Sequence, residues 1–289
     1  VQGHYLNRRQ VAARFSRAAE TYDAHAALQR EVAARLDAHL EFTRLNPARI
    51  LDIGCGTGFL MQHLRRRYRR ARILGVDLAH GMNLAARQRV GPRRLWRARP
   101  AFVTADAVRL PFADGTFDLV ASNLTMQWVD HPESMMAEMR RVLAPGGLML
   151  FSTFGRRTLT EMRRALAAIR PEHAGLVLPF PDVTSLGDAL ARLAVDTPVT
   201  DSDLFTLTYP DFMSLVRELK GIGASAAAIA GRPGGLYGRR LLRQLQHEYE
   251  AHHRTEGGRL PASFEVLYAQ AWHRPAPPEF ERTIPIEAL

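Results

Sequence analysis

Apolar residues along this chain fall into short blocks separated by turn signals, and their spacing changes from block to block. Ile50, Leu51 and Ile53 surround one acid and run straight into glycines at 54, 56 and 58, a pattern that reads as a buried strand entering a tight turn. From there helical and strand-like spacings alternate: helix over 59–68, strand over 73–77, helix over 82–90, strands over 101–105 and 117–122, helix over 132–143, strand over 148–153. Such alternation predicts an α/β fold with a parallel, doubly wound sheet and helices on both faces. The "APGG" at 144–147 predicts a helix stop and a tight turn into the fifth strand.

Residues 10–41 have helical composition, with Val11, Phe15, Ala18 and Tyr22 at helical spacing, so 1–46 is expected to form a helical leader over the sheet. The core is placed at 47–208, with further helices over 159–169 and 185–193 and a Thr-rich strand over 204–208. A helical insertion is expected at 209–262, with helices over 212–220 and 239–250, and is read as a cover for the active site because long connections are usually functional. The last core strand lies within 263–274, and the Pro-rich tail at 275–289 is expected to be extended.

Composition narrows the class. Apolar residues make up 46% and charged residues 24%, which excludes collagen-like, fibrous and disordered chains. There is neither an apolar run of membrane-spanning length nor a signal-like start, so a cytoplasmic location is expected. The one cysteine, Cys55, cannot form an internal disulfide and reads as a small residue suited to the glycine turn. The net charge of +10 is carried almost wholly by arginine, Lys220 being the only lysine, and favours an anionic partner without saying which.

The chemistry centres on the first strand-to-helix turn. Glycines at alternate positions let backbone approach a ligand where side chains would collide, although such turns also arise as plain connections. A dinucleotide site would want its third glycine at 59, where the chain has Phe59. The acid before the glycines, Asp52, would repel a pyrophosphate but suits a ligand with an ammonium or sulfonium centre, as in S-adenosylmethionine. Asp77 ends the second strand, where a carboxylate can accept from both hydroxyls of a ribose. Asp106 with the Ala107 amide follows the third strand, suited to an adenine edge, and Asn123 follows the fourth, with Gln127 and Trp128 one turn on.

"LDIGCGTG", Asp77, "ADAVRLPFADGTFDLVASN" and "RVLAPGG" together resemble the signature of class I S-adenosylmethionine-dependent methyltransferases over about 48–153. That resemblance implies a Rossmann-like, mostly parallel seven-stranded sheet. It implies that Asp52, Gly54, Cys55, Gly56 and Gly58 cradle the methionine portion, Asp77 the ribose, and Asp106 with Ala107 the adenine, with Leu78, Met82, Asn123 and Gln127 completing the set.

The flanks carry a second resemblance. "VAARFSRAAETYDAHAALQREVAARL", "FSTFGRRTLTEMRRAL", "SLGDALARLAVDTPVTDSDLFTLTYPDFMSLVRELKGIGA" and "GRPGGLYGRRLL" are similar to the malonyl-acyl carrier protein O-methyltransferases of biotin biosynthesis. This implies methylation of the free carboxylate of a malonyl thioester on acyl carrier protein or coenzyme A, priming pimeloyl synthesis, with S-adenosylhomocysteine as product and no metal. A carboxylate is already ionised at neutral pH, so no catalytic base is expected, and rate enhancement would rest on positioning and exclusion of water. Phe15 and Tyr22 are the lid candidates against the cofactor. Tyr209, Lys220, Arg232, Arg239 and Arg240 are candidates for the malonyl carboxylate.

The arginines of 65–72 and 87–99, or Arg239, Arg240 and Arg243 of the insertion, are alternative landing sites for an acidic carrier. A monomer is expected, with neither nucleic acid nor membrane as partner. Open alternatives are another small acceptor such as a quinone or polyketide intermediate, an inactive cofactor-binding partner, and a nucleic-acid methyltransferase.

Overall fold

A computed structural model describes residues 7–91, 99–193, 195–222 and 235–274. Five parallel strands, β1 (Arg49–Ile53), β2 (Arg72–Asp77), β3 (Ala101–Thr104), β4 (Phe117–Ser122) and β5 (Leu143–Phe154), are joined by β6 (Val195–Tyr209) and β7 (Leu260–His273) in the order β3-β2-β1-β4-β5-β7-β6. β7 lies antiparallel between β5 and β6. The sheet is therefore seven-stranded and mostly parallel, a Rossmann-like α/β fold.

The sheet is covered on both faces, which is why the central strands read as near-continuous apolar runs. Ile50, Leu51 and Ile53 have no exposed surface. One face packs against α3 (Ala27–Ala38), α4 (Phe59–Arg67), α7 (Thr160–Ile169) and α9 (Phe212–Gly221), and the other against α6 (Pro132–Val142) and α8 (Val183–Arg192). Asp182 and Ser185 form a reciprocal capping box at the start of α8, and Asp211 caps α9 through the Ser214 amide at 2.7 Å.

The leader departs from a single run. It divides into α1 (Arg8–Ala18), α2 (Tyr22–His25) and α3, of which only α3 is buried on the sheet. α5 (His80–Val90) packs against α1. The "APGG" turn is a correction too: those residues lie inside β5, where the pairing with β4 shifts register between Phe117 and Leu119. Gly146, at φ 76°, gives the bulge its left-handed residue.

β6 and β7 run well beyond the expected 204–208 and, at the start of β7, beyond 263. β6 is an edge strand rich in Thr and Asp with its side chains largely exposed, so its apolar signal is faint. α10 (Gly235–His253) starts earlier than expected and lies against α7 and α9.

Candidate functional site

The carboxyl ends of β1 to β4 open on a cleft of about 800 Å³, counting its open mouth, at the point where the strand order reverses. Its floor is the glycine turn. The Gly54 and Cys55 amides both donate to the Val76 carbonyl at 2.7 and 3.0 Å, fixing the turn to the end of β2. Gly54 (φ 67°) packs so closely on Thr125 that an added Cβ would lie 2.0 Å from Thr125 Oγ1. Gly56 (φ 51°) differs: its Cβ would meet nothing nearer than the Gly54 carbonyl at 4.0 Å, so bare backbone borders open cleft.

Asp77 stands beside it. One carboxylate oxygen accepts from the Gly56 amide at 2.9 Å and the other from the Ala79 amide at 2.8 Å, which fixes the carboxylate plane and leaves lone pairs free on both oxygens. Burial pushes its pKa up to about 6, with the Ala79 and Gly56 amides holding it down. Asp106 lies across the cleft, where Oδ1 accepts from the Val108 amide at 3.1 Å and Oδ2 from Arg8 at 2.7 Å. Leu78, Met82, Ala107 and Asn123 also line the walls. Asn123 is committed at both ends of its amide, donating to the Gln29 carbonyl at 3.0 Å and accepting from Ser152 Oγ at 2.9 Å.

Four expected cofactor residues do not line the cleft. Asp52 shares the helix-covered face of β1 with Ile50, because strand side chains alternate and the cleft begins only at Ile53. Both of its oxygens are buried without a hydrogen bond of normal geometry. Burial first, then neighbouring Asp77, raise its carboxyl well above the usual range, the Met61 amide acting weakly the other way. The Cys55 thiol turns beneath the glycines and donates to Asn83 Oδ1 at 3.4 Å. Gly58 (φ 90°) opens α4, and a Cβ there would strike Val90 at 2.8 Å, so its glycine serves packing. Gln127 folds its amide back onto the Leu124 carbonyl at 2.6 Å.

The roof comes from the leader. Arg8, Val11, Ala12, Phe15 and Tyr22 all face the cleft. Phe15 meets Trp128 edge-on at 5.0 Å and Tyr22 at 6.4 Å. α1 rides close on α5: a Cβ on Gly81 would lie 2.7 Å from the Ser16 carbonyl oxygen. Burial, with Asp77 second, raises the Tyr22 hydroxyl above its ordinary value, so it remains a hydrogen-bond donor at neutral pH.

Arg8 and Thr125 were not among the expected residues. Arg8 had a signal, since 8, 11, 12 and 15 share one helical face with the expected Phe15. Thr125 had none, because its place comes from packing on Gly54.

The expected malonyl contacts lie elsewhere. Tyr209 is buried at the end of β6 and donates to Glu218 at 2.8 Å. Lys220, Arg239 and Arg240 are exposed on α9 and α10, and none of these four lines the cleft. Arg232 lies outside the described residues. Among the described residues, the ionisable groups at the cleft are Arg8, Tyr22, Asp77 and Asp106.

A family model for a methyltransferase domain matches residues 51–151. The malonyl-acyl-carrier protein O-methyltransferase of Laribacter hongkongensis (strain HLHK9) is 43% identical over 280 residues, spanning 96% of this chain and 92% of that protein. The protein of the same name from Methylovorus sp. (strain MP688) is 43% identical over 276 residues, spanning 94% and 91%. Among solved structures, the YcgJ protein of Bacillus subtilis aligns with a TM-score of 0.58 at 16% identity, over 85% of this chain and 99% of its own. A phospholethanolamine N-methyltransferase of Haemonchus contortus, solved with S-adenosylhomocysteine, aligns with a TM-score of 0.50 at 19% identity, over 84% of this chain and 53% of its own. These two likenesses are of fold.

Proposed function

The chain belongs to the malonyl-acyl-carrier protein O-methyltransferase family, and from that premise we propose that it methylates the free carboxylate of a malonyl thioester on acyl carrier protein, with S-adenosylmethionine as donor. The observation that carries the reading is the cleft itself. A carboxylate set by two backbone amides adjoins bare glycine backbone under an aromatic roof, and no His, Cys or Lys lines it among the described residues.

The residues fit the donor. Asp77 retains acceptor capacity on both oxygens, as a ribose diol requires, and Gly56 leaves room where a side chain would intrude. Asp106 and Ala107 border the cleft on the β3 side, suited to the adenine edge, while Leu78 and Met82 supply apolar walls. The donor supplies an electrophilic methyl group on sulfonium sulfur. Phe15, Tyr22 and Trp128 exclude water from the space around it, so that an acceptor carboxylate enters stripped of hydration. That carboxylate enters already ionised and has no proton to lose, so the transfer asks no proton abstraction of Asp77, Asp106 or any other residue of the cleft. Orientation by the walls and roof contributes on the order of 7 kcal/mol or more to such a two-partner reaction. The methyl ester masks a charged end and leaves an acyl group suited to elongation towards pimelate.

Incubation with methyl-labelled donor tests the reading by comparing malonyl carrier, malonyl-coenzyme A and acetyl carrier, which lacks the free carboxylate. Label is expected on the malonyl thioesters and absent from acetyl carrier. Equal labelling of acetyl carrier, or none on either malonyl thioester, overturns it.

A further inference from the structure

Asp23 lies one residue after Tyr22 and does not line the cleft. Its carboxylate nevertheless joins three separate segments. One oxygen accepts from Thr57 Oγ1 at 2.7 Å, and Thr57 sits in the glycine turn directly after Gly56 with almost no exposed surface. The other oxygen pairs with Arg89 near the end of α5. Arg89 closes the circuit by donating to the Thr57 carbonyl at 2.8 Å, and its guanidinium lies over the Phe59 ring at 4.3 Å. From α3, Arg30 donates to the Asp23 carbonyl at 3.1 Å.

These contacts matter because α2 is only 4 residues long, too short to hold its own conformation. Its place is set by what it touches. The two elements that Asp23 grips also build the cleft, the glycine turn through Gly56 and α5 through Met82. Tyr22 is thereby registered against the cleft from outside it.

We propose that Asp23 is a positioning residue: through Thr57 and Arg89 it locks the lid segment to the glycine turn and α5, and so sets Tyr22 over the donor's part of the cleft. The inference rests on the donor reading given above, and not on the identity of the acceptor. Asp23 touches no reacting atom. Loss of one charge-assisted hydrogen bond of this kind lowers the population of the closed lid segment by roughly tenfold, and binding that requires the closed segment weakens by about the same factor.

The test is S-adenosylhomocysteine binding by calorimetry, which needs no acceptor. Asp23→Ala is expected to weaken binding roughly tenfold with little change in thermal midpoint, and to speed amide exchange in residues 19–27. If Asp23 acts through Tyr22, then in a Tyr22→Ala background Asp23→Ala adds almost nothing. Thr57→Val and Thr57→Ser keep the test decisive if Asp23→Ala fails to fold: loss of the hydroxyl weakens binding several-fold, and its retention restores it. Unchanged affinity in Asp23→Ala or Thr57→Val, or effects of Asp23→Ala and Tyr22→Ala that simply multiply, overturns the proposal. Failure of the wild-type protein to bind S-adenosylhomocysteine overturns instead the donor reading beneath it.

Discussion

At Gly54 an added Cβ would lie 2.0 Å from Thr125 Oγ1, whereas at Gly56 it would point into open cleft. The two substitutions should therefore separate stability from binding. Gly54→Ala is expected to cost about 2–4 kcal/mol of stability through collision and left-handed strain. Gly56→Ala should cost only about 1 kcal/mol of stability but more than tenfold in S-adenosylhomocysteine affinity, thermal unfolding and calorimetry being the two measurements. Asp77 adds a pH signature. Its folded-state pKa of about 6 lies above the ordinary 3.8, so the folded protein binds this proton more tightly, and the ligand-free protein loses stability from this group as pH rises through that window. Donor binding runs the other way, because the ionised carboxylate is the better double acceptor. Affinity is expected to fall by up to about tenfold per pH unit below 6, and Asp77→Asn should flatten that dependence. A pH-independent affinity in the wild-type protein would contradict the role given to Asp77.

At the scale of elements, α1 is held over the cleft by close approach to α5. Gly81 on α5 leaves room for the Ser16 backbone, so Gly81→Val should push α1 away from the cleft without disturbing the sheet. A raised KM for the donor, a near-native thermal midpoint and faster proteolysis within 8–18 are the expected outcomes. If the midpoint collapses while KM is unchanged, α1 is part of the core and not a lid.

The elements most legible in the sequence are strands buried on both faces and helices that bury one apolar face. β1, β4 and α4 to α6 announce themselves through apolar period and turn chemistry, and their alternation implies a parallel doubly wound sheet; the count of seven strands is implied only by the resemblance to class I methyltransferases. The sequence pattern marks only 204–208 of β6, because an exposed edge strand of Asp and Thr carries little hydrophobic signal. Gly54, Gly56, Asp77, Asp106, Phe15 and Tyr22, legible from motif and spacing, all line the cleft. Asp52, Cys55, Gly58 and Gln127 are also in motifs but do not line the cleft: the side chains of Asp52, Cys55 and Gln127 turn away from it, and Gly58 is a glycine because Val90 packs against it. Lys220, the only lysine, and Arg239 and Arg240 stand out in the sequence by charge and residue type, neither of which says which way a helix faces.

For the whole molecule, the net charge of +10 has a directional reading. The arginines of 65–72 lie at the end of α4 and the start of β2, the opposite end of the parallel sheet from the cleft, so they are poorly placed to deliver an acyl arm. Arg9 and Arg17 on the exposed side of α1 are nearer its mouth. A carrier steered by such charges should show a KM that rises with salt much more steeply than the donor's affinity weakens. Equal salt dependence of both would argue against charge-guided docking.

Central to the proposed function is the carboxylate that receives the methyl group. The most direct measurement is intact mass spectrometry of malonyl carrier after reaction with the enzyme and S-adenosylmethionine, followed by mild esterase treatment. The carrier should gain the mass of one methylene and lose it again with the esterase. A carrier of unchanged mass, in a mixture where the enzyme binds donor and methylates a different small acceptor, would contradict the account.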